Sequence, residues 1–232
     1  MHNKVITDFL LAINKVPDFY HSQPNVYLAD SGLYQDVDEP TKKYERRLLT
    51  AIFNEYNKVI DSDKHYTGLF PDVEVVKPYF YGTNTNDVAI RSFAYLNDLA
   101  NKKGKKIDEL EFLTTIPDFI VHKSQDDENP LNQLLSAELK TNPNMDDLDF
   151  FKDLLKLNLY IEKYKFQNAA FVIANKSEEF IKMYAERYFS NANFFKSQTS
   201  NQNLYFIFRP SEKEPFEAFS MSTLLYNGLN NK

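Results

Sequence analysis

The clearest chemical signal in the sequence is an acidic residue followed, further along the chain, by an acid and a lysine two positions apart. Asp118 lies in the segment IPDFIVH, and Glu138 and Lys140 lie in LLSAELK. Both segments have the residue pattern of β-strands, so Glu138 and Lys140 should project from the same face, roughly 6.5–7 Å apart. If the two strands pair, Asp118 comes to lie across from this face.

Two neighbouring carboxylates repel each other unless a cation lies between them. A hard divalent cation such as Mg²⁺ takes oxygen ligands and keeps positions open for water and for a substrate phosphate. Such an ion activates water and neutralises charge on a scissile phosphate. A lysine beside it would stabilise the transition state electrostatically. The pattern therefore indicates metal-dependent hydrolysis of a phosphodiester.

The two segments resemble the PD-(D/E)XK nuclease superfamily, which has the restriction-endonuclease-like fold. The resemblance implies that Asp118, Glu138 and the main-chain carbonyl of Leu139 bind Mg²⁺, with Mn²⁺ as a substitute. It implies that Lys140 is the catalytic lysine and that DNA is the substrate. The twenty positions between Asp118 and Glu138 are long for a tight hairpin, so residues 123–133 are expected to form an inserted flap.

The resemblance also implies that residues from two helices contribute to the site. Many members of the superfamily add a glutamate from the first core helix, as a catalytic residue and metal ligand, and Glu45 in YERRL is the best match. Glu55 is the fallback. Some members place a polar residue and a tyrosine four positions apart on the helix after the lysine strand, and Lys156 and Tyr160 have that spacing.

Two other Pro-Asp pairs in the chain serve as internal controls. The pair at 17–18 has no acid and lysine partner, and the pair at 71–72 is followed by Glu74 and Lys77. A spacing of three would put those two side chains on opposite faces of a strand. An alternative interpretation remains open for the third pair, in which Asp118 is a turn residue and Glu138 and Lys140 form an exposed polar strand face.

The elements around these residues predict an α/β protein with a mixed β-sheet flanked by helices. Apolar periodicity predicts helices over 5–16, from Thr41 as N-cap to residue 60, over 87–101, and after Asp146 and Ser177. Strands are predicted over 72–81, 116–122, 134–140, 168–174 and 203–210, with a loop over 20–40. We divide the chain into a helical N-terminal extension, 1–40, and a nuclease-like domain, 41–232, with the helix at 87–101 as an insertion.

Composition and charge exclude several other kinds of site and surface. The 232 residues are 43% hydrophobic and 26% charged, as in an ordinary globular protein. The absence of Cys excludes disulfides and thiolate metal sites, and the net charge of -6 argues against a generally basic surface for nucleic acid. No signal peptide or membrane-spanning stretch is evident, so a cytoplasmic location without membrane attachment is expected.

The sequence thus predicts a Mg²⁺-dependent nuclease acting on DNA, in a restriction, defence or mobile-element setting. The alternative is a catalytically inactive protein of the same fold that acts as a nucleic-acid-binding or regulatory subunit. Whether the chain forms a homodimer or works with a partner protein of a defence or repair system stays open. The four histidines show no paired spacing typical of a zinc site.

Overall fold

The structure is a computed structural model that describes residues 3–17, 20, 38–74, 87–107, 116–124, 127, 129–141, 145–191, 202–211 and 213–223. The helices it describes are α1 (Lys4–Lys15), α2 (Asp38–Ser62), α3 (Asp87–Lys102), α4 (Asp147–Glu162) and α5 (Glu178–Asn191). The strands are β1 (Phe70–Val73), β2 (Phe119–His122), β3 (Gln133–Lys140), β4 (Asn168–Ala174), β5 (Leu204–Arg209) and β6 (Glu217–Ser220).

The six strands form one mixed sheet in the order β1-β2-β3-β4-β5-β6. The β3–β4 and β4–β5 pairs are parallel, whereas the other three pairs are antiparallel. The parallel strands are connected through α4 and α5, as parallel neighbours require a crossover. The predicted α/β class, with a mixed sheet and flanking helices, is confirmed. Within the described residues, none of the helices combines the length and apolar character needed to cross a bilayer.

Helices cover both faces of the sheet, and the alternation of side chains along each strand separates two cores. On β3, Leu135, Ala137 and Leu139 pack into the core that includes α1 and α2. On β4, Phe171 and Ile173 point the other way, into the core that includes α3, α4 and α5. Because Glu138 pairs with Phe171 and Lys140 with Ile173 in the parallel register, both polar side chains project toward α4.

Helix α1 is part of the first core. Phe9 is fully buried, and its ring lies 5.5 Å from that of Tyr56 in α2 and 5.1 Å from that of Phe119 in β2. The side chain of Asn14 also hydrogen-bonds to the main chain of Phe216, just before β6. The division of the chain at residue 40 stays a prediction, because residues 21–37 lie outside the described part.

Most predicted elements are confirmed, with three differences. Helix α2 begins at Asp38, before the predicted N-cap Thr41. Pro40 does not delay the start of the helix, because N–H groups in the first helical turn have no partner within the helix and proline lacks only that group. The strand predicted over 72–81 is described as Phe70–Val73 and is followed by Glu74 at φ 50°; the rest of that range lies outside the described residues. Strand β6 was not predicted, because EAFS is too short to show a period.

The described residues of the predicted flap between β2 and β3 are held together by polar side chains and main-chain hydrogen bonds. The two carboxylate oxygens of Asp127 accept hydrogen bonds from the Asn129 N–H at 2.8 Å and from the Asn132 side chain at 2.7 Å. The Lys123 N–H donates to the Asn132 carbonyl at 3.2 Å, which closes the base of the turn. This local closure allows a long connection to join two strands that still pair as antiparallel neighbours.

Candidate functional site

The antiparallel register of β2 and β3 brings the first two predicted residues together. Phe119 pairs with Ala137, so one further step along the ladder places Asp118 opposite Glu138. Residues opposite each other in an antiparallel pair point to the same face, with Cα atoms about 4.5–5.5 Å apart. The Asp118 carboxylate also accepts a hydrogen bond from the Leu139 N–H at 2.7 Å, which holds it against β3.

Lys140 is the last residue of β3 and shares the face of Glu138. Its ammonium Nζ lies 3.3 Å from Oδ2 of Asp153 in α4, and about a quarter of its side chain is exposed. Glu138 is fully buried, which contradicts the alternative interpretation of an exposed polar strand face. The three predicted residues therefore gather where β3 ends, beside the carboxyl end of its parallel neighbour β4.

Glu45 reaches the same end of β3 from α2. Its Oε1 accepts a hydrogen bond from the N–H of Thr141, the residue after Lys140, at 3.0 Å. Glu55, the fallback, is ion-paired with Lys58 on its own helix at 2.6 Å. Ten residues of helix separate it from Glu45, a distance of about 15 Å. The structure thus brings Glu45 to the site, and not Glu55.

Helix α4 contributes the pair noted for its spacing of four. The Tyr160 hydroxyl donates to Oε1 of Glu138 at 3.3 Å, and the Lys156 ammonium lies 3.7 Å from Oε2 of the same carboxylate. Tyr160 is fully buried, and only 14% of the Lys156 side chain is exposed. Both side chains therefore lie against Glu138 inside the protein.

Asp153 also belongs to the site, although it was not predicted from the sequence. This residue precedes Leu154 and Leu155, in a helix with a strongly apolar seam, yet its carboxylate is buried and lies near both lysines of the site. A signal was present, because 153, 156 and 160 are spaced by three and four and so lie on one helical face. Polar residues at that spacing in an otherwise buried helix indicate a polar cluster opposite them.

Burial and charge determine the protonation of the acids. Burial raises the pKa of Glu45, Asp118 and Glu138 above the usual carboxyl range, and most strongly for Glu138. The charge of Lys140 opposes this rise at Glu45 and Asp118, and that of Lys156 opposes it most at Glu138. Neighbouring carboxylates push each of the three pKa values further up.

The pKa values of the two lysines are also raised, although burial acts on them in the opposite direction. The carboxylate of Asp153 contributes most to raising the pKa of Lys140, despite the opposing effect of burial. Burial lowers the pKa of Lys156, but the charges of Glu138 and Asp153 outweigh it and leave the pKa raised. Both side chains are therefore ammonium ions at neutral pH.

The charges of the cluster do not balance when all its groups are ionised. The groups that influence one another are four carboxylates and two lysines: Glu45, Asp118, Glu138, Asp153, Lys140 and Lys156. Two negative charges remain, which is the charge that one divalent cation would neutralise. Hard carboxylate oxygens are also the donors that Mg²⁺ prefers.

The described residues contain no group of three or more His, Asp or Glu side chains arranged to hold a metal ion. The candidate donors are instead the facing pair Asp118 and Glu138, with the Leu139 carbonyl between Glu138 and Lys140. Mg²⁺ commonly binds through one or two carboxylates and completes its coordination with water and substrate phosphates. A two-carboxylate site of this kind fits the ion.

Two other groups of polar residues have structural roles. His122 is buried; its Nδ1 lies 2.8 Å from the Ser124 carbonyl and its Nε2 lies 3.7 Å from Asp72. In the lysine cluster after α3, Lys103 and Lys105 form ion pairs with acids at the start of α4. These contacts connect elements of the fold and lie outside the carboxylate cluster.

Comparisons of the chain with protein-family models, with curated proteins and with solved structures found no match. What the site offers is a facing pair of acids, a lysine on the same strand, and a third acid from α2 at the end of that strand.

Proposed function

We propose that this protein is a metal-dependent nuclease that hydrolyses phosphodiester bonds in DNA. The observation that carries the proposal is the register of β2 and β3, which places Asp118 opposite Glu138, with Lys140 two residues further on the same face. Facing carboxylates with an adjacent ammonium, at a sheet end that α2 and α4 both contact, suit the binding of a divalent cation and a phosphate.

The order of elements supports membership of the PD-(D/E)XK superfamily with its restriction-endonuclease-like fold. That core consists of a helix, a strand, the Asp-bearing strand, the Glu-x-Lys strand, a helix and a further strand. Here the same order runs through α2, β1, β2, β3, α4 and β4, with α3 as an insertion. The resemblance now rests on element order as well as on the two short motifs.

The roles follow from the positions. Asp118, Glu138 and the Leu139 carbonyl would hold Mg²⁺, or Mn²⁺ in its place, and Glu45 would complete the acidic pocket. When bound, the ion lowers the pKa of a coordinated water and neutralises charge on the phosphate. Lys140, an ammonium with part of its side chain exposed, would stabilise the negative charge that develops on the phosphate oxygens.

The test is cleavage of single-stranded DNA, double-stranded DNA and RNA with Mg²⁺ or Mn²⁺. We expect the wild-type protein to cleave DNA and Lys140→Ala to be at least about 100-fold slower, as for the loss of one electrostatic donor. Lys182→Ala is the control, because Lys182 pairs with Glu178 on α5, away from the cluster. A wild type inactive on every substrate, or full activity in Lys140→Ala, contradicts the proposal.

A second candidate function has its own support. Glu138 is buried and already contacts Lys156 and Tyr160, so the cluster is partly neutralised from within. This favours a catalytically inactive protein of the same fold that binds nucleic acid or regulates a partner. DNA binding in EDTA, measured by fluorescence anisotropy, together with no cleavage in any metal and no ion binding that depends on Asp118, would support this candidate over the nuclease.

A further inference from the structure

Asp153 occupies an unusual place for a carboxylate. It lies in the middle of α4, directly before Leu154 and Leu155, and only 3% of its side chain is exposed. A buried carboxylate is stable only when it is paired. The pairing comes from both sides, since Oδ2 lies 3.3 Å from Nζ of Lys140 and Oδ1 lies 3.8 Å from Nζ of Lys156.

These contacts form a row of alternating charges. Glu138 on β3 contacts Lys156 on α4, Lys156 contacts Asp153 one turn earlier, and Asp153 contacts Lys140 back on β3. Each lysine therefore lies near a carboxylate of α4 or β3. These ion pairs connect the end of β3 to α4.

The position of the Lys140 ammonium determines whether the facing acids are accessible to a cation. A lysine side chain on the same strand face, two residues from Glu138, is long enough to reach Glu138 or the opposite Asp118. The other acids that act on Lys140 are Glu45, Asp118 and Glu138, and each is a weaker influence than Asp153. In the structure, the ammonium lies on the α4 side, within ion-pair distance of Asp153.

We propose that Asp153 is a positioning residue that holds the ammonium of Lys140 on the α4 side and keeps it from occupying the space between Asp118 and Glu138. This inference rests on the proposed function in one respect, namely that this space receives the divalent cation. Asp153 itself touches neither a metal ion nor substrate in this scheme; it acts through Lys140.

The first test measures the reactivity of Lys140 toward acetic anhydride in EDTA by mass spectrometry. Without Asp153, the ammonium of Lys140 should move into the space between Asp118 and Glu138, where two carboxylates pair with it and solvent reaches it less than at its present, partly exposed position. We therefore expect labelling of Lys140 to fall several-fold in Asp153→Asn. Asp153→Glu, which keeps the charge, should stay near the wild-type rate. Unchanged labelling of Lys140 in Asp153→Asn would overturn the inference.

Asp147→Asn is the matched control, because Asp147 lies on the same helix and pairs with a different lysine, Lys103. It should raise the labelling of Lys103 and leave that of Lys140 unchanged. The same change at Lys140 in this control would mean that loosening of α4, and not loss of a specific pair, explains the effect. That result would also overturn the inference.

The second test asks whether Lys140 competes with the cation. We expect Asp153→Asn to weaken Mn²⁺ binding and the double variant Asp153→Asn with Lys140→Met to restore it. Equal weakening in both contradicts the inference, and absence of Mn²⁺ binding by the wild type contradicts the proposed function instead and leaves the labelling result to decide. If Asp153→Asn does not fold, a metal-free crystal structure of the wild type decides, because an ammonium paired with Asp118 or Glu138 overturns the inference.

Discussion

The carboxylate of Glu45 accepts a hydrogen bond at 3.0 Å from the N–H of Thr141, the residue that follows Lys140 at the end of β3. The contact joins helix α2 on one face of the sheet to the strand whose polar side chains face α4 on the other. It places a third acid at the strand end, close enough for the charges of Lys140 and Asp118 to influence its pKa.

This relationship predicts different effects for two substitutions of Glu45. Glu45→Gln keeps an oxygen that accepts the Thr141 N–H but removes the charge, so stability should change little while Mn²⁺ affinity falls. Glu45→Ala should also reduce stability by about 1–3 kcal/mol, because the buried N–H loses its partner. Urea unfolding and Mn²⁺ titration measure the two effects, and equal stability of the two variants would contradict the assignment.

The buried ion pair of Glu138 makes a second prediction. Lys156→Met leaves Glu138 without its closest cation, so we expect a loss of about 3 kcal/mol of unfolding free energy. Adding Glu138→Gln should recover much of this loss, because neither partner is then left alone. Urea unfolding of the two variants measures the coupling, and additive losses in the double variant would show that the two groups act independently.

Stability should also depend on pH through Glu138. Its pKa is raised above the value of 4.5 of an ordinary glutamate, so the folded chain holds this proton more tightly than the unfolded chain. Protonated Glu138 therefore stabilises the fold at pH values below the ordinary glutamate pKa. This contribution is lost as the pH rises through the raised pKa of the folded protein. In EDTA, the melting temperature should therefore fall as the pH rises above the ordinary glutamate range, and fall less in Glu138→Gln. Identical slopes would contradict the raised pKa.

Helix α1 should be needed for stability, although it precedes the predicted domain. Phe9→Ala removes a fully buried ring that contacts α2 and β2, and we expect a loss of about 3–5 kcal/mol. Leu11→Ala is the matched control, since Leu11 is 52% exposed, and should stay within about 0.5 kcal/mol of the wild type. Similar unfolding curves for Phe9→Ala and the wild type would mean that α1 is a dispensable extension.

Features of the site that depend on local spacing could be predicted from the sequence. The two-residue spacing of Glu138 and Lys140 fixes a shared strand face, and the alternating residues Leu135, Ala137 and Leu139 show that the opposite face packs into a core. Helical spacing also places Glu45 on the same side of α2 as Leu48, three residues later. These inferences need only the periods of strands and helices, which follow from backbone geometry.

The remaining features depend on contacts between distant parts of the chain. The spacing of Asp153, Lys156 and Tyr160 indicates a polar helical face but does not show what that face contacts. The partner Lys140 is on another element, and the register of α4 against β3 is set by the packing of the whole core. The same holds for the choice between Glu45 and Glu55, which depends on how far α2 extends past the end of β3. Strand β6 forms only because β5 offers it an edge to pair with.

The most direct test of the account is a Mn²⁺ titration followed by electron paramagnetic resonance, with the wild type, Asp118→Asn and Asp72→Asn. Asp72 is the control, because it also lies in a Pro-Asp pair but is located on β1 beside His122. We predict that the wild type and Asp72→Asn each bind one Mn²⁺ per chain and that Asp118→Asn loses this ion. Absence of Mn²⁺ binding in the wild type, or unchanged binding in Asp118→Asn, would contradict a divalent cation site between Asp118 and Glu138.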